Sequence, residues 1–298
     1  MSRFVFLIPD EKKLPRGGIM NIVRFGELLA KLEEDVVLAT FTGKDAHGKK
    51  WFKHDLPVIN WQDRKDDDIC VIADMYSGEA DQVKGPCILY MQTPLQLHKN
   101  FDYMRKDLQI WTDSPYMLEK CKEHYPGKDI PIVPNIVDNN AFPFKPQSER
   151  IKGRIIVFPR KGDDFIKEVF KKYKKAGGKY WKPERLHKLP FDQLAKKFNE
   201  AQAFFASADV EGCALPPQES MAAGVIVIGK NATGANFSMQ DNKTALVCNT
   251  VAETVDNLFK AEDEVLRTRI ASEAYEFISR YFPEAEPTTF LTKIINQN

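Results

Sequence analysis

Two carboxylates, Glu211 and Glu219, stand with seven residues between them in the segment Ser207-Ala208-Asp209-Val210-Glu211-Gly212-Cys213-Ala214-Leu215-Pro216-Pro217-Gln218-Glu219-Ser220-Met221-Ala222-Ala223-Gly224. The apolar run Val225–Ile228 follows at once. Gly212 lets a backbone come close to a ligand, and a helix over Gln218–Ala223 stopped by Gly224 suits a left-handed C-terminal cap. Amides left free at such a loop and helix start form an anion site, here bracketed by the two carboxylates. Taken alone, the same carboxylates also suit capping near a helix macrodipole. A second cluster is Phe158-Pro159-Arg160-Lys161-Gly162. There Arg160 offers a planar fork and Lys161 a point charge, the cationic partners that phosphate groups take. Gly17-Gly18 closes a Pro15-Arg16-Gly17-Gly18 turn after an apolar run, and Gln92-Thr93 ends the run Ile88–Met91, with His98 just beyond.

These residues sit where elements change. Short β-branched or aromatic runs alternate with segments of helical period, the pattern of parallel strands joined by crossover helices, so the class reads as α/β. Phe4–Ile8, Val36–Phe41, Cys70–Ala73, Ile88–Met91, Gln109–Thr112 and Pro131–Val133 read as strands of one Rossmann-like sheet. Helices are expected from Ile19 to Leu32 and from about Ser114 to His124. The periodicity stops around Pro143–Arg150, where each proline pushes its predecessor out of helical geometry, and the linker is placed there. Two domains follow, residues 1–146 and 147–298. The second has strands at Ile155–Phe158, Ala203–Ser207, Val225–Ile228 and Ala245–Cys248, and its last helix is free to pack back on the first domain. Two such sheets leave a ligand site at the carboxyl ends of their strands, expected between the domains.

Composition sets the class limits. Lys+Arg is 43 and Asp+Glu 42, a net charge of +1, which excludes a globally basic nucleic-acid coat but not a local patch. No apolar run approaches the roughly 20 residues of a membrane span, and the N-terminus lacks a secretory pattern, so a cytoplasmic protein without stable membrane insertion is expected. The five cysteines have no Cys-x-x-Cys pair and the five histidines no metal-ligand spacing. Asp66-Asp67-Asp68 sits in a charge-mixed loop and reads as solvated, so no metal is implied. Between Lys167 and Lys188 nine Lys or Arg face two Glu, with Tyr173, Tyr180 and Trp181 interleaved. That is either a solvated helix face or the footprint of a polyanion.

Glu-Gly followed, after six residues, by Glu-Ser-Met-Ala-Ala-Gly before an apolar strand resembles the donor motif of family-4-like retaining glycosyltransferases of the GT-B fold. Val133-Pro134-Asn135-Ile136-Val137-Asp138, Thr112-Asp113-Ser114-Pro115-Tyr116 and Gly17-Gly18 resemble other stretches of that family, in the same order. The family commonly shows an aromatic residue and a glycine where Cys213-Ala214 stand here. The resemblance implies two Rossmann-like domains facing across a cleft, and a nucleoside-diphosphate sugar as donor with no cofactor besides. It implies that Glu219 holds the ribose hydroxyls and Glu211 lies by the transferred sugar. Gly212, Cys213, Ala214 and Leu215 would meet sugar or phosphates through their backbone, with Gly17 and Gly18 facing the same groups. Arg160 and Lys161 would stabilise the leaving diphosphate, and Gln92, Thr93 and His98 would contact the acceptor. Retention would proceed by front-face attack with the leaving phosphate as base.

The acceptor stays open between a glycan or glycoconjugate and, as for transferases that some phages encode, a DNA base reached by flipping. A nucleotide-sugar-binding module without turnover is the reading from another class.

Overall fold

The computed structural model describes residues 3–10, 17–45 and 51–295. They form two units, one of Met1–Ile136 with Glu284–Asn298, the other Val137–Pro283.

Unit 1 carries strands β1 (Phe4–Leu7), β2 (Val36–Thr40), β3 (Val58–Asn60), β4 (Ile69–Ala73), β5 (Cys87–Met91) and β6 (Leu108–Thr112). All pair in parallel in the order β3-β2-β1-β4-β5-β6, the doubly wound Rossmann order. β1, β2, β4 and β5 are buried throughout, so they read as unbroken apolar runs rather than alternations. Helices α1 (Gly17–Lys31) and α2 (Pro115–His124) follow β1 and β6. Ser114 caps α2, its Oγ accepting from Met117 N–H at 3.2 Å. The expected strand at Pro131–Val133 is only a bridge from Ile132 to Thr112.

Unit 2 carries β7 (Ile151–Val157), β8 (Lys182–Arg185), β9 (Ala201–Ala206), β10 (Ile226–Gly229) and β11 (Ala245–Val247), parallel in the order β11-β10-β9-β7-β8. Counted within the unit this is the flavodoxin-like order 2-1-3-4-5 read from the other edge. Its helices are α3 (Asp163–Lys175), α4 (Phe191–Glu200), α5 (Leu215–Ala223), α6 (Val251–Lys260) and α7 (Glu264–Tyr281). The closing helix α8 (Ala285–Ile295) belongs to unit 1, where it packs on α1 and sets Phe290 edge-on to Trp111 with ring centroids 5.0 Å apart.

The structure corrects several details. The chain leaves unit 1 after Ile136, ahead of the proline-rich segment expected to link the domains. Residues 143–150 are fixed inside unit 2 instead: Lys145 N–H donates to Ala223 O at 3.0 Å, and the buried Arg150 guanidinium is held by the carbonyls of Phe198, Ala201, Lys145 and Ala223. Asp68 is buried, not solvated; it takes two hydrogen bonds from Arg3, at 3.1 and 2.8 Å, and one from Lys65 N–H. Tyr173 and Trp181 of the basic segment belong to the core of unit 2, so its aromatics are no stacking platform. All five cysteines are buried, and burial pushes the thiols of Cys70, Cys87 and Cys121 up to about 12.

Candidate functional site

In an open parallel sheet the crevice for a ligand lies at the carboxyl ends of the strands, where neighbouring strands send their connections to opposite sides. In unit 2 that switch falls between β7 and β9. The turn after β7 carries Arg160 and Lys161, and the loop after β9 carries Asp209 to Ala214. The two tips meet. Lys161 Nζ lies 2.6 Å from Glu211 Oε1, and Ser207 Oγ donates to Lys161 O at 2.5 Å. Gly162 makes the approach possible. It sits at φ +85°, and a Cβ there would fall 2.5 Å from Ser207 O. The Lys161 side chain is 40% exposed and that of Glu211 18%, so the pair is open to a ligand from solvent. Arg160 beside it is exposed and carries no ion pair among the described residues.

α5 begins at Leu215, three residues earlier than expected, and ends as expected at Gly224, whose φ is +82°. Gly224 and Val225 donate N–H to Met221 O and Ser220 O, closing the last turn, while a Cβ at Gly224 would lie 2.6 Å from Lys145 O. The helix is buried along nearly its whole length, which places Glu219 at 1% exposure, at the base of the loop that starts with Glu211. Pro216 and Pro217 have no N–H, so the helix start offers fewer donors than its sequence position suggests. The Ala214 amide is already taken by Asn236 Oδ1 at 3.1 Å. Of the four backbone positions singled out, Ala214 thus has its amide engaged in shaping the loop. Cys213 Sγ accepts from Gln218 Nε2 at 2.8 Å, a contact that fixes the loop on its own helix.

Sequence reasoning missed two residues here. Lys230, directly after β10, pairs with Asp209 at 2.6 Å and lies 4.0 Å above the Phe165 ring. Its place after the apolar run Ile226–Gly229 was a usable signal. Asn236 offered none, since its role depends on a fold-back: Asn236 N–H donates to Asn231 O, across a turn in which Ala232 and Thr233 have φ of +51° and +56°. Two consecutive left-handed residues with side chains cost about 1–2 kcal/mol each.

In unit 1, Gly17 and Gly18 open α1 rather than forming a loop, and Pro15 and Arg16 of the expected turn lie outside the described residues. Gly18 does meet Gln92: a Cβ on it would lie 2.8 Å from Gln92 Oε1. Gln92 is set by its backbone, its N–H donating to the buried carboxylate of Asp74 at 3.1 Å. Thr93 Oγ1 accepts from Leu95 N–H at 3.4 Å and so caps the turn Pro94–Gln96. The His98 ring is exposed, 3.2 Å from Gln96 Oε1, and its carbonyl accepts from Tyr125 OH at 2.8 Å. Asn21 ties this end together, donating to Tyr90 OH at 3.1 Å and accepting from Ile136 N–H at 2.8 Å. Among the described residues no cluster of His, Cys, Asp or Glu is placed to hold a metal ion, and no helix is long and apolar enough to cross a membrane.

Residues 157–277 match the family model described as Glycosyl transferases group 1. No curated protein matches the chain in sequence. Among solved structures it resembles sucrose-phosphate synthase from Thermosynechococcus elongatus (11% identity, TM-score 0.74, 100% of this chain and 99% of that one). It also resembles HepE from Anabaena in complex with UDP and glucose (12% identity, TM-score 0.72, 100% of each chain). A third likeness is to an α-glucosyltransferase in complex with UDP-glucose and DNA containing an abasic site (14% identity, TM-score 0.67, 99% of each chain). At such identities the likeness shows the fold. The likeness gives the chain two parallel-sheet, Rossmann-like units of the GT-B type, and the group 1 glycosyl transferase match covers the stretch from the end of β7 to α7.

Proposed function

We propose that the chain transfers a sugar, with retention and without a metal ion, from a nucleoside-diphosphate sugar, and that the donor is UDP-linked. The observation that carries this reading is the meeting of Lys161 and Glu211 at the switch point of the unit 2 sheet, with Arg160 exposed beside them. Two solved neighbours of the same fold hold UDP with glucose or UDP-glucose, which supports the choice of base.

In this reading Arg160 and Lys161 bind the diphosphate, and their contacts strengthen as charge gathers on the leaving oxygen, which is the condition for speeding the reaction. The bond from acceptor oxygen to the anomeric carbon forms as the bond from that carbon to the diphosphate oxygen breaks, and the leaving phosphate takes the acceptor's proton. Glu211 exchanges Lys161 for the transferred sugar. Glu219 accepts from the two ribose hydroxyls, a task that suits two adjacent acceptor oxygens. The backbone of the Gly212–Leu215 loop is assigned to the donor's sugar or phosphates, and Gly17 and Gly18 let phosphates or sugar come close to the start of α1. Gln92, Thr93 and His98 are assigned to the acceptor. No cofactor is needed, and a cytoplasmic site, where nucleotide-sugars are made, fits the reading.

The test is thermal stabilisation by UDP-glucose, other UDP-sugars, and GDP- and ADP-sugars, followed by turnover in the presence of a chelator. A UDP-sugar at 100 times its dissociation constant is expected to add about 2.7 kcal/mol. Stabilisation by no diphosphate sugar, turnover lost with the chelator, or a product of inverted anomeric configuration would each sink the corresponding part.

A further inference from the structure

The lysines of unit 2 are distributed unevenly. Lys171, Lys174, Lys175, Lys179, Lys182 and Lys188 are all exposed, and none has an ion pair among the described residues. The acids around them are engaged elsewhere. Glu168 pairs with Lys172 at 3.0 Å and Asp163 with Lys167 at 2.8 Å and with Arg185. Glu184 is held by Arg154 and Lys197, at 3.2 and 2.6 Å, and Glu262 accepts from Tyr173 OH. The uncompensated charge therefore collects on the outer face of α3, the turn behind it and the open edge strand β8.

The placement has a direction. α3 leads from the strand ends that hold Arg160 and Lys161 to the far end of the sheet, about 18 Å at 1.5 Å per residue. Lys171, Lys174 and Lys175 occupy its second half, on one side at spacings of three and four. Lys179 and Lys182 turn the corner, and the chain returns along the β8 edge to Lys188, beyond the carboxyl end of the strand. The outcome is a positive track about 20 Å long that ends at the same strand ends as the candidate donor site. Charged residues and a proline on an open edge also guard against strand addition. That accounts for Lys182 and Pro183 but not for the four lysines of α3 and its turn.

We infer that this face binds duplex nucleic acid along its phosphate backbone, so that under the transfer proposed above the acceptor is carried on DNA. The track has the length of about six base pairs, over which duplex DNA presents roughly a dozen phosphates. A bilayer surface fits less well. A membrane-bound amphipathic face needs projecting apolar residues between its cations. No large hydrophobic is exposed between Lys152 and Asp209, since the apolar side of α3 is spent on the core.

The binding half of this inference needs no donor and is measured without one. The full chain is titrated against a fluorescein-labelled 30-base-pair duplex, by anisotropy, from 50 to 200 mM KCl. If four lysines neutralise phosphates, the slope of log K against log salt is about −3.6 and affinity falls about 150-fold over that range. The quadruple variant Lys171→Ala, Lys174→Ala, Lys175→Ala, Lys179→Ala is expected to lose most of that slope while UDP-glucose raises its melting temperature as in the parent. No duplex binding at 50 mM KCl, an unchanged slope in the variant, or tighter binding to vesicles with 30% phosphatidylserine or to heparin than to the duplex would overturn the assignment. A parent that binds DNA but is not stabilised by any nucleotide-sugar would instead leave this surface standing and remove the donor reading.

Discussion

Lys161 and Glu211 are partners at 2.6 Å, and under the proposed function a donor diphosphate would have to compete for the lysine. Because the lysine is 40% exposed, solvent screening keeps the pair's contribution to folding below about 1 kcal/mol. Lys161→Met should therefore leave the melting temperature nearly unchanged while lowering kcat by about 10²-fold or more, as for loss of one transition-state contact. Arg160→Ala should act in the same sense. Glu211→Gln frees Lys161 without filling its place: donor affinity, read by calorimetry, should hold or rise while transfer falls. A variant at Lys161 that unfolds but transfers normally when folded would mark the pair as structural. Glu211 and Arg160 could be singled out as candidates because side-chain chemistry is written in the sequence. The pairing itself was not, since Lys161 and Glu211 are brought together only by β7 lying next to β9. Asn236 escaped because its place depends on the fold-back onto Asn231.

At the level of elements, the strands that were read correctly are mostly those buried on both faces, whose apolar runs leave no other option. The two that were missed, β3 and β8, are both edge strands. β8 is Lys-Pro-Glu-Arg, a stretch without any apolar signal, made a strand by its ladder to β7. Helix α6 shows the opposite case, a boundary written locally. Thr250 Oγ1 accepts from Glu253 N–H at 3.2 Å, and Glu253 accepts in return from Asn249 and Thr250 N–H at 2.9 and 3.0 Å. Those backbone hydrogen bonds, Asn249 first and then Thr250, hold the Glu253 carboxyl below its ordinary value. A depressed carboxyl contributes stability above the unfolded pKa and loses it as pH falls through the folded one. Glu253→Gln should accordingly lower urea-denaturation stability at pH 7, with the gap to the parent closing as pH drops below about 4; a gap that stays constant to pH 2 would remove the ionised cap. Thr250→Ala should cost about 1 kcal/mol.

On the scale of the whole molecule, the chain divides its cores between two units but not at a single crossing. It returns to unit 1 for the final helix, and three of the four tryptophans, Trp51, Trp61 and Trp111, report on that unit, with Trp181 on the other. Leu291 of α8 is fully buried in the unit 1 core together with Phe25, Trp111 and Val133. Leu291→Ala should cost about 2–5 kcal/mol of unit 1 stability, the range for a leucine deleted from a packed core. The donor contacts assigned to Arg160, Lys161, Glu211 and Glu219 all lie in unit 2. The variant should therefore show a lowered tryptophan-fluorescence transition while UDP-glucose binds, below that transition, with the parent's affinity. If Leu291→Ala instead weakened the nucleotide-sugar in proportion to the stability lost, donor binding would depend on unit 1, and Gly17, Gly18 and Gln92 would carry more of it than the residues of unit 2.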